Sequence, residues 1–178
     1  MVSTLQMLFE GRKELFKGLW IDNSDWEWKQ HTVIKIDFNG LDVTDEERLE
    51  QSLLSLLDRI AKSHSFTLKS DLSPLKFVEL ILELAEKYQQ KIVVLVDEYD
   101  KPIITHLGKG EKELQTAREN CTVLKKFFGV LKEVNVSANL RFVFITGVSK
   151  FSRVSIFSEL LRRPLYCLHQ EPFLLLKT

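Results

Sequence analysis

Three acidic residues, Asp97, Glu98 and Asp100, lie within four positions of one another. They follow a short run of large aliphatic residues from Ile92 to Val96. A run so short and so apolar predicts a strand that is buried on both faces of a parallel sheet. Because charges are rarely tolerated inside such a strand, we expect the acids just beyond its carboxyl end. In open α/β sheets, ligands bind at that edge.

The order of these acids predicts chemistry that depends on Mg²⁺. In a Walker B segment, one carboxylate holds Mg²⁺ directly or through water, and the next orients or deprotonates a water molecule. Asp97 and Glu98 would take these two roles. Asp100 adds a third carboxylate within one turn. The three carboxylates therefore repel one another unless a cation or a basic group lies beside them. We therefore assign Asp97 and Asp100 to metal binding and Glu98 to catalysis.

A second apolar run, which starts at Arg141, ends in Thr146 and Gly147. In a parallel sheet the carboxyl ends of both strands lie at one edge, so the Thr146 hydroxyl could contact a phosphate or the attacking water. Downstream, Lys150 and Arg153 supply cations near that edge. Each is either a ligand of the nucleotide or a solvated surface charge.

The rest of the chain predicts strands separated by helices. Strands are expected at 32–38 and, more weakly, at 162–168; helices are expected at 3–9, from Thr44 with Glu47 as a capping box, from Ser73 with the serine as cap, and at 111–132. Such alternation requires right-handed crossovers between parallel strands. We therefore predict an α/β fold, a three-layer sandwich with a short parallel sheet flanked by helices.

Composition restricts the function classes. The chain has 178 residues, of which 44% are hydrophobic, enough for one domain with a core. Lys+Arg and Asp+Glu both number 25, so no net charge supports binding to nucleic acid. Neither of the two cysteines has a second cysteine or a histidine at metal-ligand spacing. No apolar run spans a membrane and no signal peptide is visible, which predicts an intracellular, cytoplasmic protein.

Four segments carry a family resemblance: 9–19, 33–38, 94–103 and 140–152. Over residues 3–158 the chain resembles the AAA-ATPase-like family, P-loop proteins often fused to a PD-(D/E)XK nuclease-like domain; residues 159–178 form a divergent tail. The resemblance implies ATP and Mg²⁺ as cofactors. It also implies that Asp97 is the Mg²⁺-associated acid, Glu98 the water-activating acid and Thr146 the residue at the sensor position.

The chain departs from that family at the phosphate loop. No G-x-x-x-x-G-K-[ST] motif is present, although the family places a Gly-Lys-Ser loop just before the segment that here starts at Ser3. We therefore expect an incomplete P-loop core, truncated after that motif, with the strand order sensor, Walker B, Val33 strand. The sensor strand would then border an unpaired edge. Residues 165–168 could cover this edge; otherwise it would self-associate or pair with a partner chain.

Several functions follow from these features. We favour an ATPase-family domain that cannot bind and hydrolyse ATP alone. The alternatives are a Mg-ATP-binding NTPase completed by a partner chain, and a protein interaction module. A PD-(D/E)XK nuclease needs an acid and a lysine separated by one residue on a strand. Asp100 lies two residues after Glu98 and Lys101 lies three after it, so the spacing argues against a nuclease.

Overall fold

The computed structural model describes residues 1–147 and the strand at 166–168. Its sheet contains the strands β1 (Val33–Asp37), β2 (Ile92–Asp97), β3 (Leu140–Thr146) and β4 (Tyr166–Leu168). All neighbouring pairs are parallel, in the order β1-β2-β3-β4. The predicted α/β class and the predicted position of β2 between β1 and β3 are both confirmed.

Six helices are described: α1 (Val2–Phe9), α2 (Glu46–Ser63), α3 (Ser73–Tyr88), α4 (Lys101–Ile104), α5 (Glu111–Gly129) and α6 (Val134–Ala138). The apolar stripes of α2, α3 and α5 cover one face of the sheet, and α1 lies on the other. Residues Ile92 to Val96 of β2 are completely buried between these two layers. This burial explains why the strand is apolar at every position rather than at alternate ones.

Helix α1 runs antiparallel to the strands on its face of the sheet. Its carboxyl end lies at the amino edge of β1, where the His31 backbone N–H donates to the Phe9 carbonyl at 2.7 Å. At the other end, the amino group of Met1 is close enough to Asp97 to lower its pKa. The start of α1 therefore lies at the same edge of the sheet as the acidic residues.

The cap predicted for α2 is wrong by one residue. Asp45, not Thr44, is the N-cap, and its carboxylate accepts the Arg48 backbone N–H at 2.8 Å. The Thr44 hydroxyl instead donates to Asp42 at 2.6 Å. Asp45 has the extended backbone that an N-cap needs, and a carboxylate also interacts favourably with the helix dipole.

The cap predicted for α3 is also wrong by one residue: Leu72 is the N-cap and Ser73 is the first residue of the helix. A residue of another helix takes the capping role. The Ser73 hydroxyl and backbone N–H donate to the two carboxylate oxygens of Glu50 in α2, at 2.7 and 2.6 Å. Ser73 is itself fully buried. A carboxylate from α2 thus binds a free N–H group of the first turn of α3 and joins the two helices at that end.

We expect Glu50→Ala to lower the free energy of unfolding by about 1–2 kcal/mol, because it leaves the Ser73 hydroxyl and N–H buried without their acceptor. Urea unfolding followed by circular dichroism measures the change. Glu83→Ala, at an exposed position of α3, is the control and should change stability by less than about 0.5 kcal/mol. Equal effects of the two substitutions would contradict the capping role.

The edge of β3 is partly covered. Phe144, Ile145 and Thr146 pair with the three residues of β4. The possibility that residues 165–168 cover this edge is therefore confirmed for the carboxyl half of β3. None of the helices in the described part of the chain is long and apolar enough to span a membrane.

Candidate functional site

Three polar residues form a row across the carboxyl edge of the sheet. Asp37 and Asp97 are register partners at the ends of β1 and β2. Ile145 of β3 is the partner of Val96, so Thr146 follows at the level of Asp97. Neighbouring residues at one level of a parallel sheet share a face, and here that face is the one covered by α1. The expectation that Thr146 and the acids share one edge is confirmed.

Asp97 is the last residue of β2, rather than the first residue beyond it, and its side chain is half-buried. Burial is the main cause that raises its pKa, followed by the charges of Asp37 and Glu98. Lys35 and the amino group of Met1 act in the opposite direction. We call Asp37, Asp97 and Glu98 the acidic corner. Its carboxylates repel one another, so a cation bound there would be stabilised.

Sequence reasoning missed Asp37. It is the second-last residue of the predicted strand at 32–38 and lies two residues before the turn at Asn39, so its place near a strand end was visible. The predicted strand order also put β1 beside β2. What the sequence lacked was the register that brings Asp37 level with Asp97. The Asp37 carboxylate also accepts the Asn39 backbone N–H at 2.9 Å, which fixes its orientation.

The raised pKa of Asp97 predicts how stability depends on pH. The folded state binds more protons than the unfolded state between the ordinary pKa of an aspartate and the raised value. Stability from this group therefore falls as pH rises through that window. We expect Asp97→Asn to stabilise the fold at neutral pH and to lose this advantage when the pH falls below the window. Urea unfolding from pH 4 to pH 8 measures the difference, with the exposed Asp71→Asn as control. Lower stability of Asp97→Asn at neutral pH would contradict the raised pKa of Asp97.

Glu98 lies in a backbone conformation that is unusual for its residue type. Its φ is 51°, in the left-handed region. Two backbone hydrogen bonds hold the turn: the Lys101 N–H donates to the Glu98 carbonyl at 3.0 Å, and the Tyr99 N–H donates to the Thr146 carbonyl at 3.1 Å. Strained residues of this kind cluster at functional sites, where the surrounding structure holds them in place.

Asp100 is completely buried, and its carboxylate faces Gly147. A Cβ atom at Gly147 would lie 2.7 Å from Asp100 Oδ1 and 2.7 Å from Tyr99 Cε1. The absence of a side chain at Gly147 thus lets the loop after β2 pack on the end of β3. Asp100 is not among the groups that shift the pKa of Asp97. Its assignment to metal binding stays a prediction.

Hydrogen bonds behind the acidic corner fix the segment that follows it. The Lys101 ammonium group donates to Asn39 Oδ1 at 2.6 Å and so joins α4 to the loop after β1. Asn120 of α5 is fully buried, and its amide donates to the carbonyls of Pro102 and Val43 at 2.9 and 3.0 Å. These bonds position the segments that follow the acids at the ends of β1 and β2.

The acidic corner suits a Mg²⁺ ion that is also bound by phosphate. The described residues contain no group of three or more His, Cys, Asp or Glu side chains placed to hold a metal. In nucleotide enzymes, however, Mg²⁺ takes only one or two carboxylates and completes its octahedron with phosphate oxygens and water. Asp97, repelled by its neighbours at an open edge, fits that donor set. Lys150 and Arg153 lie outside the described residues and stay predictions.

Comparison with known proteins decides the family. A family model described as "Predicted AAA-ATPase" matches residues 1–157. The chain belongs to this AAA-ATPase-like family. It is also similar to a protein described as an uncharacterized protein in the vnfD 5′ region of Azotobacter chroococcum mcd 1, with 36% identity over 160 residues. That alignment covers 89% of this chain but only 30% of the relative's length. No solved structure matches the chain significantly.

Membership in the AAA-ATPase-like family supports nucleotide binding at a general level. The domain limits at 3–158 and 159–178, the truncation after the phosphate loop and the fusion to a nuclease-like domain stay predictions. The roles of the individual site residues also stay predictions.

Proposed function

We propose that this chain supplies the acidic half of an ATPase site. Asp97 would hold Mg²⁺, Glu98 would act on the attacking water, and Thr146 would contact that water or a phosphate. The observation that carries the proposal is the row of Asp37, Asp97 and Thr146 on three adjacent strands, with Glu98 next to it. Membership in the AAA-ATPase-like family supports a nucleotide as the ligand of this site.

Electrostatics support the metal assignment. The raised pKa of Asp97 reflects a carboxylate that is half-buried close to two others. A divalent cation is attracted to all three carboxylates. Its binding would therefore also relieve the repulsion among them. When bound, Mg²⁺ would neutralise charge on the phosphate oxygens. Asp37 would act by orienting Asp97 or a water molecule bound to the metal.

The turn at Glu98 supports a separate role for that residue. Its backbone turns away from the strand direction in a left-handed conformation. Its side chain therefore does not follow the alternation of side chains between the two faces of β2. A carboxylate placed beside the metal ligand can orient a water molecule and accept its proton. The start of α1 at the same edge also suits phosphate, since helix N-termini favour negative charge.

We further propose that the chain does not hold ATP tightly by itself. No segment of the sequence offers the glycine-rich loop and lysine that cradle the β- and γ-phosphates. Completion of the site by another polypeptide segment, within a longer protein or from a partner chain, is part of this proposal. So is an intracellular location, where ATP is present.

Paramagnetic Mn²⁺, added to ¹⁵N-labelled protein, tests the metal assignment. We expect selective broadening of the amide signals of 37–39 and 97–101, because Mn²⁺ shares the oxygen-ligand preference of Mg²⁺. Asp97→Asn should abolish it, whereas Asp71→Asn should leave it unchanged. Broadening spread evenly over exposed carboxylates elsewhere would overturn the assignment of the metal to Asp97.

Calorimetric titration with Mg-ATP tests the second part. We expect no binding by this chain below about 1 mM nucleotide. The free energy of binding would then be weaker than about −4 kcal/mol. Micromolar binding that disappears in Asp97→Asn would show instead that the chain completes a nucleotide site by itself.

A further inference from the structure

A second polar site lies at the opposite edge of the sheet from the acidic corner. A cavity of about 490 Å³ opens there, and its wall includes Trp26, Lys29, His31, Lys91 and Arg141. Its location follows from the topology: His31 precedes β1, Lys91 directly precedes β2, and Arg141 is the second residue of β3. One basic residue therefore lies at or just before the start of each of three neighbouring strands. We call this the amino-edge cavity.

The cations of the amino-edge cavity are available for a ligand. Lys29, Lys91 and Arg141 form no ion pair with any residue in the described part of the chain. All three are exposed. All three line the same cavity, so an anion bound there would interact favourably with each of them.

The pKa of His31, which lines the cavity, is lowered from its ordinary value. Burial is the main cause that lowers its pKa, and the charges of Arg141 and then Lys29 lower it further. A weaker interaction with the Lys91 backbone raises it. The imidazole is thus biased toward its neutral form by neighbouring cations, and an anion near those cations would remove part of that bias.

Two acids limit the class of ligand. Asp25 and Glu27 also line the cavity, on the loop that carries Lys29. They would repel an extended polyanion such as nucleic acid, which contacts a whole basic surface. A small anion contacts fewer of the lining residues, so we expect the acids to repel it less. A volume near 490 Å³ is in the range of sites for small molecules.

We propose that the amino-edge cavity binds a small ligand through its phosphate or carboxylate group, with Arg141, Lys91 and Lys29 as the contacting residues. Arg141 offers planar paired donors, which suit either group. Trp26 forms an apolar part of the wall, against which the rest of the ligand packs. This site is independent of the proposed ATPase function, because none of its residues belongs to the acidic corner.

Inorganic phosphate is the first probe, with the ring signal of His31 followed by NMR against pH at constant ionic strength. We expect saturating phosphate to raise the pKa of His31. Arg141→Gln should raise that pKa without phosphate and weaken phosphate binding about tenfold. Acetate and citrate, tested in the same way, distinguish a carboxylate ligand from a phosphate ligand.

Lys126→Gln, an exposed lysine on α5 outside the cavity, is the matched control for lost charge and should change phosphate affinity less than about twofold. Asp97→Asn should leave phosphate binding intact, which separates this site from the acidic corner. An unchanged His31 titration with all three anions, or equal losses in Arg141→Gln and Lys126→Gln, would overturn the proposal.

Discussion

Replacement of Gly147 by alanine is expected to lower the free energy of unfolding by about 2–3 kcal/mol. The added methyl group would lie 2.7 Å from Asp100 Oδ1 and 2.7 Å from a ring carbon of Tyr99, both shorter than any normal contact. Asp100 and Tyr99 are almost completely buried, so neither can move aside into solvent. The strain must move the loop after β2, which carries Glu98, away from the end of β3.

Gly129→Ala is the matched control for this substitution. Gly129 ends α5, and a Cβ atom there would meet nothing within 4 Å. Alanine is the better helix former, so we expect a gain of about 0.5–1 kcal/mol. Urea unfolding of both variants measures the contrast. A loss below about 0.5 kcal/mol in Gly147→Ala would show that the loop relaxes freely around the methyl group.

Phe77→Ala should cost more, about 3–5 kcal/mol. Phe77 of α3 stacks on Phe127 of α5, with ring centroids 4.7 Å apart and ring planes within 5° of parallel. Both rings are fully buried between helices that cover the sheet. The substitution removes a large apolar side chain and leaves a cavity that the helices and the sheet can fill only partly.

Thermal and urea unfolding of Phe77→Ala test this expectation against Leu75→Ala on the same helix. Leu75 is 54% exposed, so its truncation should change stability by less than about 0.5 kcal/mol. Phe77→Leu should lie between the two variants, since leucine refills part of the space. A cost below about 1.5 kcal/mol for Phe77→Ala would indicate that the core collapses around the smaller side chain.

The sheet was predictable because its strands differ sharply in composition from their flanks. The apolar run before Asp97 indicated a central strand by itself, and the alternation with helices then required parallel pairing. Polar Lys35 and Asp37 in β1 agreed with its place at an edge of the sheet. Each of these signals lies within the segment that it describes, so the sequence alone was enough to predict the strands.

The details of the site depend on distant residues and were therefore less predictable. No local pattern shows that Asp37 is level with Asp97, because register depends on packing across the 59 residues between them. Likewise, Glu50 caps α3 only because α2 packs beside it. The burial of Asp100 depends on Gly147, which is far along the chain.

The direction of α1 has a practical consequence for any metal measurement. Val2 is 2% exposed while Met1 is 67% exposed, so the first residue points into solvent beside Asp97. A polyhistidine affinity tag fused ahead of Met1 would bring imidazole ligands to this corner, and they would compete for added Mn²⁺ or Mg²⁺. Proteolytic removal of such a tag should precede every titration.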